Sequence, residues 1–283
     1  MSDQASLAAL EATANNIRRK VIETLHAVGA GHTGGSLSEI EILVALYFSF
    51  LDIDPKRPTW EDRDRFILSK GHASMGFYAT LAARGYFPEN ELATFDSVDT
   101  RLQAHPDMRK CPGVDYSTGS LGQGLSVGIG MALGAARLRK RFKTVVLLGD
   151  GECQEGQVWE AAMFAGSNAV PGLFAIVDYN KVQLSSKIAE STHLEPFADK
   201  WRAFGWQVLA VDGHDISELL RIFTQADAVS CDGPVAIIAN TVKGKGVSFM
   251  EGKFEWHGKT PNDAEFSNAM RELQAKGGSH EDR

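Results

Sequence analysis

The sequence lacks the features that mark membrane, secreted and nucleic-acid-binding proteins. Its 283 residues include only three cysteines, an odd number without CxxC spacing, which argues against a disulfide framework. The longest apolar run, residues 40–51, is too short for a membrane span and is interrupted by Glu41. The net charge is −7 and no long basic run occurs, so a nucleic-acid partner is not expected. The first residues do not resemble a secretory signal, and we expect a cytoplasmic protein with no membrane partner.

What is present is the composition and patterning of a folded α/β protein. Hydrophobic residues make up 43% of the chain and charged residues 23%, which are globular proportions. Helical patterns separate four apolar runs: TVVLLGD from residue 144, LFAIVDYN from 173, WQVLAVDGHD from 206 and PVAIIANTV from 234. Alternating strands and helices indicate a parallel sheet. We expect a doubly wound, mostly parallel sheet with helices on both faces, forming one domain over residues 1–283.

The N-terminal part predicts two helices joined by a loop. Apolar residues recur at helical spacing over the first 28 residues, and Gly29 marks the end of that helix. Ser36 and Glu39 have the spacing of a capping box before the next apolar run. We therefore expect residues 31–35, GHTGG, to form a tight loop between the helices.

The middle of the chain predicts a short strand, a long irregular segment and a glycine-rich helix. RFILSKGHAS, from residue 65, has the pattern of a strand that turns at Gly71 into a helix. Residues 86–118 are rich in Pro, Asp and Gly, and a loop of that length usually has a function. The segment STGSLGQGLSVGIGMALGAARL, from residue 117, begins a helix.

Polar residues stand at the ends of two neighbouring predicted strands. Asp150, between Gly149 and Gly151, follows one strand and Asn180 closes the next. A crossover helix between them would bring both strand ends to one edge of the sheet. Their oxygens, with a loop carbonyl near Val182, are hard donors that suit Mg²⁺ or Ca²⁺, and a diphosphate would complete the shell of Mg²⁺. Each residue taken singly is equally typical of an ordinary turn.

An ordered set of motifs runs along nearly the whole chain. GDGECQEGQVWEA is followed by VDYNK, and the supporting segments, in chain order, are GHTGGSLS, LSKGHAS, QAHPD, STGSLGQGLSVGIGMA, VDGHD and FEWHGK. This set resembles the transketolases, a family of thiamine-diphosphate enzymes. The resemblance implies the thiamine-diphosphate-binding fold and a transferase that moves a two-carbon ketol unit from a ketose phosphate to an aldose phosphate.

The resemblance also implies roles for individual residues. Three histidines would line the donor channel and take part in catalysis: His32, His105 and His257. The cofactor would be contacted by His72, Gly119, Ser120, Leu121, Gly151, Glu152, Asn180 and His257. Mg²⁺, with Ca²⁺ or Mn²⁺ as substitutes, would be held by Asp150, Asn180 and the Val182 carbonyl. Glu155 and Glu160 would lie near the cofactor and a subunit interface.

Full-length transketolases continue into pyrimidine-binding and C-terminal domains, neither of which we expect in this chain. The resemblance is therefore to the N-terminal subunit of a split transketolase, inactive alone and partnered by a separate pyrimidine-binding subunit. Family analogy implies a heterotetramer of two copies of each. Because that partner would carry most sugar-phosphate contacts, neither the sugars nor the choice between the pentose phosphate pathway and a catabolic route is predicted.

Several alternatives stay open from sequence. Within thiamine-diphosphate enzymes they are deoxyxylulose-phosphate synthase, phosphoketolase and the α-subunit of a 2-oxo acid dehydrogenase, and outside enzymes a silent binding module of the same fold. A Rossmann dehydrogenase is disfavoured because no strand precedes the glycines at 122, 124 and 128. The loop carrying Lys243 and Lys245 is compatible with a solvated loop or with one that approaches an anionic ligand. His214 and Asp215 are expected at a helix start.

Overall fold

The computed structural model describes residues 6–278 and contains one five-stranded, entirely parallel sheet. The strands are β1 (Arg65–Leu68), β2 (Thr144–Gly149), β3 (Leu173–Tyr179), β4 (Gln207–Asp212) and β5 (Val235–Asn240). Their spatial order is β1-β2-β3-β5-β4. The α/β prediction is confirmed, and each of the four longer strands lies where its apolar run predicted it.

Ten α-helices surround the sheet in the described part of the chain. They are α1 (Leu7–Val28), α2 (Thr33–Ser38), α3 (Ile40–Ala45), α4 (Ser74–Arg84), α5 (Gln123–Arg137), α6 (Gly156–Ser167), α7 (Ile188–Ser191), α8 (Phe197–Ala203), α9 (Ile216–Val229) and α10 (Asp263–Gly278). A π-helical turn, Leu46–Phe50, extends α3. Within residues 6–278, no helix combines the length and apolarity needed to cross a bilayer.

The alternation of side chains along the strands divides the core into two layers. On β2, Val145 and Leu147 face one cluster, built mainly with α1, α3, α4 and α9. Val146 and Leu148 face the other, built with α5, α6 and α8. Strands β2, β3 and β5 are buried on both faces, as near-continuous apolar runs predict for a parallel sheet, whereas the edge strand β4 is mostly half-buried or exposed.

The first helix ends as the sequence predicts, but the segment after it differs. Gly29 caps α1 in the left-handed conformation, with φ 73°. Residues 31–35 are not simply a loop, because α2 begins at Thr33. The capping-box prediction is wrong: the Ser36 hydroxyl donates to the His32 and Ala73 carbonyls, and Glu39 pairs with Lys70. Both side chains are fully buried, so tertiary contacts replace the local cap.

The crossover between β2 and β3 sets up the edge of the sheet that carries the site. Helix α6 connects the two strands, which are direct neighbours, and Gly149 pairs with Asp178. Their carboxyl ends therefore meet at one edge. The predicted strand-turn-helix around Gly71 is also confirmed: β1, the neighbour of β2, leads through a single 3-10 turn into α4.

Candidate active site

A cavity of about 350 Å³ opens at the carboxyl ends of the central strands. This is the position at which parallel α/β sheets bind ligands. Its walls come from several separate segments of the chain. They contribute His32, Gly35, Lys70, His72, Gly119, Leu121, Gly149, Asp150, Gly151, Glu152, Asn180, Val182, Gln183, Leu184, Lys243 and His257.

Asp150 lines this cavity and is 2% exposed. One carboxylate oxygen accepts the Gly151 amide at 2.8 Å and the other accepts the Lys181 amide. Burial, reinforced by the nearby Asp178 carboxylate, raises the pKa of Asp150 to about 7. The ionised form of Asp150 is therefore unfavourable in this environment, and a bound cation would stabilise it.

Asn180 and Val182 border the same cavity from the loop after β3. The Asn180 Oδ1 accepts the Val182 amide at 3.1 Å, and its Nδ2 donates to Asp178 Oδ2 at 3.2 Å. The Val182 carbonyl accepts the Lys243 ammonium at 3.2 Å. The structure therefore brings the three predicted metal donors to one cavity, and an ammonium group already contacts one of their oxygens.

Glu152 also lines the cavity, but its carboxylate is occupied by the surrounding loops. It accepts the Gly122 amide at 2.9 Å, the Gly149 amide at 3.0 Å and the Ser69 hydroxyl. These bonds join the loops after β1 and β2 to the start of α5. A ligand would meet the backbone of Glu152, while its side chain holds the cavity wall in place.

Three of the four motif histidines cluster on one wall. The ring centroids of His32, His72 and His257 are 5.0–5.4 Å apart, and the His72 and His257 rings are stacked. Burial lowers the pKa of all three, and Lys243 adds to the effect; that of His257 falls to about 3. The imidazoles are therefore neutral at physiological pH.

The remaining predicted residues lie on the rim or outside the cavity. His105 is exposed, and its ring lies 3.3 Å from where a Cβ at Gly119 would stand. Gly119 has φ 147°, so this close approach favours glycine. Gly119 and Leu121 line the cavity, whereas Ser120 is exposed. Glu155, which precedes α6, and Glu160, within it, are exposed.

A buried charge network lies behind the cavity and was not predicted from the sequence. Lys70, 2% exposed, places its ammonium 2.5 Å from Asp178 Oδ2 and 3.0 Å from Glu39 Oε2. Burial raises the pKa of Glu39 to about 8, so Asp178 carries the negative charge opposite Lys70 at neutral pH. Ser38 and Thr241 also donate to Asp178. A signal was available, because Asp178 interrupts an apolar strand.

The position of Lys243 shows whether its loop is solvated or approaches the cavity. Its side chain is buried and its ammonium contacts His257 Nδ1 at 3.0 Å as well as the Val182 carbonyl. Burial and the charge of Lys70 lower the pKa of Lys243 to about 8. The loop is not solvated at this residue: it brings a cation to the cavity wall.

These residues fit a divalent cation bound to a diphosphate. The donors are oxygens without thiolates, which suits Mg²⁺ rather than zinc. A buried carboxylate with a raised pKa needs a counter-charge, and the Lys243 ammonium supplies positive charge for phosphate oxygens. Asp150 and Asn180 would hold the metal, with the Val182 carbonyl once Lys243 releases it.

Comparison with known proteins identifies the family of this chain. The model for the thiamine diphosphate binding domain of transketolase matches residues 10–279. This chain belongs to the transketolase family. It is a subunit of a transketolase-type transferase and corresponds to the family's N-terminal, cofactor-binding part.

Several relatives that match this chain over nearly their whole length are named as transketolase subunits. The chain is 46% identical to the 6-deoxy-6-sulfo-D-fructose transketolase subunit SqwG of Clostridium sp. (strain MSTE9), over 95% of this chain and 97% of that protein. It is 39% identical to one subunit of the apulose-4-phosphate transketolase of Phocaeicola vulgatus, over 94% of each protein.

Solved transketolases share the fold but are longer. The Pichia stipitis enzyme in complex with sedoheptulose 7-phosphate superposes with a TM-score of 0.89 at 27% identity, over 96% of this chain. The Campylobacter jejuni enzyme gives a TM-score of 0.87 at 29% identity, over 95% of this chain. The chain spans 41% and 42% of these two proteins.

Proposed function

We propose that this chain is the cofactor-binding subunit of a two-subunit transketolase that uses thiamine diphosphate and Mg²⁺. The complete enzyme transfers a two-carbon ketol unit from a ketose to an aldose phosphate. The observation that carries the proposal is the convergence of Asp150, Asn180 and Lys243 with three neutral histidines on one cavity. That combination offers oxygen donors, a cation for phosphate and uncharged proton carriers.

The chain's first task is to bind and orient the cofactor. Asp150 and Asn180 would hold Mg²⁺, and the Lys243 ammonium, which contacts the Val182 carbonyl, would be available to a phosphate oxygen. Gly151 lines the cavity from the loop that Glu152 holds in place, and its amide donates to Asp150 Oδ1, which orients that carboxylate. Thiamine diphosphate supplies, when bound, a thiazolium ring that accepts the electron pair released by carbon-carbon cleavage.

The histidines would handle protons at the substrate hydroxyls. A neutral imidazole has one donor and one acceptor nitrogen, so it can take a proton from a hydroxyl or donate a hydrogen bond to a developing alkoxide. His32 and His257 lie in the cavity and His105 on its rim, which suits a substrate that enters from the His105 side. Glu155 and Glu160, which are exposed and do not line the cavity, are assigned to the subunit interface.

The partner completes the enzyme. A separate pyrimidine-binding subunit would cover the cavity, and two copies of each subunit would form the assembly. We infer that the donor is an anionic ketose; the inference is supported by relatives of which one is named for a sulfonated ketose and another for a phosphorylated one. Which of these anions the complete enzyme accepts depends mainly on the partner.

Reconstitution tests this proposal. The chain is purified with the separately encoded pyrimidine-domain subunit of its genome and assayed for ketol transfer with phosphorylated and sulfonated ketoses. We expect activity that requires both subunits, thiamine diphosphate and Mg²⁺. Activity of the chain alone, or a complex that works without the cofactor, would refute the proposal. A complex that binds cofactor but transfers nothing from any ketose tested would identify a silent module instead.

A further inference from the structure

Three largely buried side chains outside the cavity hold the loop that carries Lys243. Glu41 on α3 pairs with Arg18 on α1 at 2.5 Å and lies 3.0 Å from His214 Nδ1 in the β4–α9 loop. Although burial opposes it, the charge of Arg18 and the bond from His214 lower the pKa of Glu41 to about 2. Glu41 is therefore ionised, and we call Arg18, Glu41 and His214 the clamp.

The clamp contacts the loop at two backbone atoms, one on each side of Lys243. His214 Nε2 accepts the Val242 amide at 2.8 Å, and Arg18 Nε donates to the Lys245 carbonyl at 2.9 Å. Neither contact involves a lysine side chain. Of these residues only Lys243 borders the cavity, so any effect of the clamp on a ligand passes through the loop.

The chemistry of these contacts fixes the tautomer of His214. An amide N–H donates only to an unprotonated ring nitrogen, so Nε2 carries no hydrogen and Nδ1 donates to Glu41. Glu41 thereby orients the imidazole, and the imidazole orients Val242. Second partners of this kind commonly fix a functional group whose own side chain is long and mobile.

We propose that the clamp is a positioning device for Lys243. Lysine carries a point charge at the end of a flexible stem, so the side chain alone does not fix the position of the ammonium. With residues 242 and 245 fixed, the Lys243 ammonium is confined between the Val182 carbonyl and His257, where a phosphate oxygen can reach it. This inference rests on the proposed role of Lys243 toward the diphosphate.

Two substitutions of His214 separate its two bonds. His214→Gln can place an amide oxygen near the Nε2 position and keep the acceptor for Val242. His214→Asn can keep the donor toward Glu41 but does not reach Val242. Hydrogen exchange over residues 241–246 of the full chain is expected to accelerate in His214→Asn and to stay near wild type in His214→Gln. His193→Asn, at an exposed histidine, is the matched control.

A double-mutant cycle then tests whether the clamp acts through Lys243. Thiamine diphosphate is titrated with saturating Mg²⁺ into the full chain, wild type and variants. We expect His214→Asn to weaken binding roughly tenfold when Lys243 is present, and by less than about twofold in the Lys243→Met background. A purely structural defect would weaken thiamine diphosphate binding by the same factor whether residue 243 is Lys or Met. Thermal melting of each variant verifies folding.

The outcomes keep the two proposals apart. If Lys243→Met binds like wild type, the role of Lys243 toward the diphosphate fails, whatever the exchange data show. If Lys243→Met binds weakly while His214→Asn changes neither exchange nor affinity, or its effect adds fully to that of Lys243→Met, the clamp is refuted. Faster hydrogen exchange over residues 241–246 in His214→Asn, together with non-additive effects of the two substitutions on binding, supports the clamp.

Discussion

The apolar core and the carboxyl edge of the sheet are built on opposite principles. The core on both faces of the sheet consists mainly of aliphatic and aromatic side chains. Their burial is favourable without any hydrogen-bond or charge partner. At the carboxyl edge six charged residues are buried instead: Glu39, Lys70, Asp150, Glu152, Asp178 and Lys243. Buried charges stabilise a fold poorly, because desolvation offsets their attraction. The contrast indicates that the core supplies stability and the edge is kept for binding.

The largest change in free energy is expected from a substitution in the apolar core. Phe223 on α9 is 1% exposed and packs against Phe50, with ring centroids 5.1 Å apart. Phe223→Ala is expected to lower the free energy of unfolding by about 3–5 kcal/mol, because it removes apolar contacts and leaves a cavity. Denaturant unfolding measures it. Gln225→Ala on the exposed side of α9 is the control, and an equally small change in both would show that the core is not as described.

The metal donor on the edge side is expected to give the next largest effect. Asp150→Ala removes the charged ligand and should weaken Mg²⁺-dependent binding of thiamine diphosphate at least about a hundredfold, or about 2.7 kcal/mol. Calorimetric titration with Mg²⁺ and with a chelator measures this change. Asp199→Ala, at an exposed aspartate of α8, is expected to bind normally. If the Asp150 variant bound thiamine diphosphate as tightly as wild type, the carboxyl edge would not differ from the core in being kept for binding.

Glu152 sharpens the comparison, because it is an edge residue with a structural task. Glu152→Gln keeps the shape but replaces one carboxylate oxygen by an NH₂ group, which must face either the Gly149 amide or the Gly122 amide and the Ser69 hydroxyl. We expect a loss of about 2 kcal/mol in unfolding free energy, the cost of unsatisfied buried groups, together with weaker cofactor binding. Unfolding and titration of one preparation measure both. An affinity loss without any stability loss would show that the carboxylate contacts ligand directly.

The pH dependence of binding gives the smallest effect. Because burial lowers the pKa of Lys243 to about 8, the free chain loses this cation as pH rises through 8. Affinity for thiamine diphosphate at saturating Mg²⁺ should therefore fall above pH 8, by up to about tenfold per unit, until the raised pKa of the bound state is reached. Titrations from about pH 7.5 to about pH 9.5 measure the slope. Lys243→Met should show none; the same slope in that variant would assign the titration elsewhere.

Much of the fold could be predicted because its signals are local. Helix α1, strands β2 to β5 and the crossover helix α6 follow from periodicity and from the glycines that end them. The start of α2 could not, because Gly34 is a poor helix former and its place depends on distant contacts. A Cβ at Gly34 would stand 3.0 Å from Lys243 Cγ. The capping box failed for the same reason, since Ser36 and Glu39 are used by partners far along the chain.

Part of the candidate site could be predicted from the sequence and part could not. Asp150, Asn180 and Val182 could be predicted to meet, because parallel strand ends share an edge and these residues follow adjacent strands. Lys70, Asp178 and the clamp could not be placed from sequence, because their ion pairs join segments that lie far apart along the chain. The insertion of β5 between β3 and β4 was likewise not predicted; it brings the Lys243 loop beside β3.

The most direct test of the central claim is the location of a metal ion. Crystals of the chain, grown with thiamine diphosphate and Mn²⁺ in place of Mg²⁺, would show the ion by its anomalous scattering. We expect one peak bonded to oxygens of both Asp150 and Asn180 and to the diphosphate, with Lys243 no longer on the Val182 carbonyl. A peak at another place, or none with ligand in saturating excess, would contradict it.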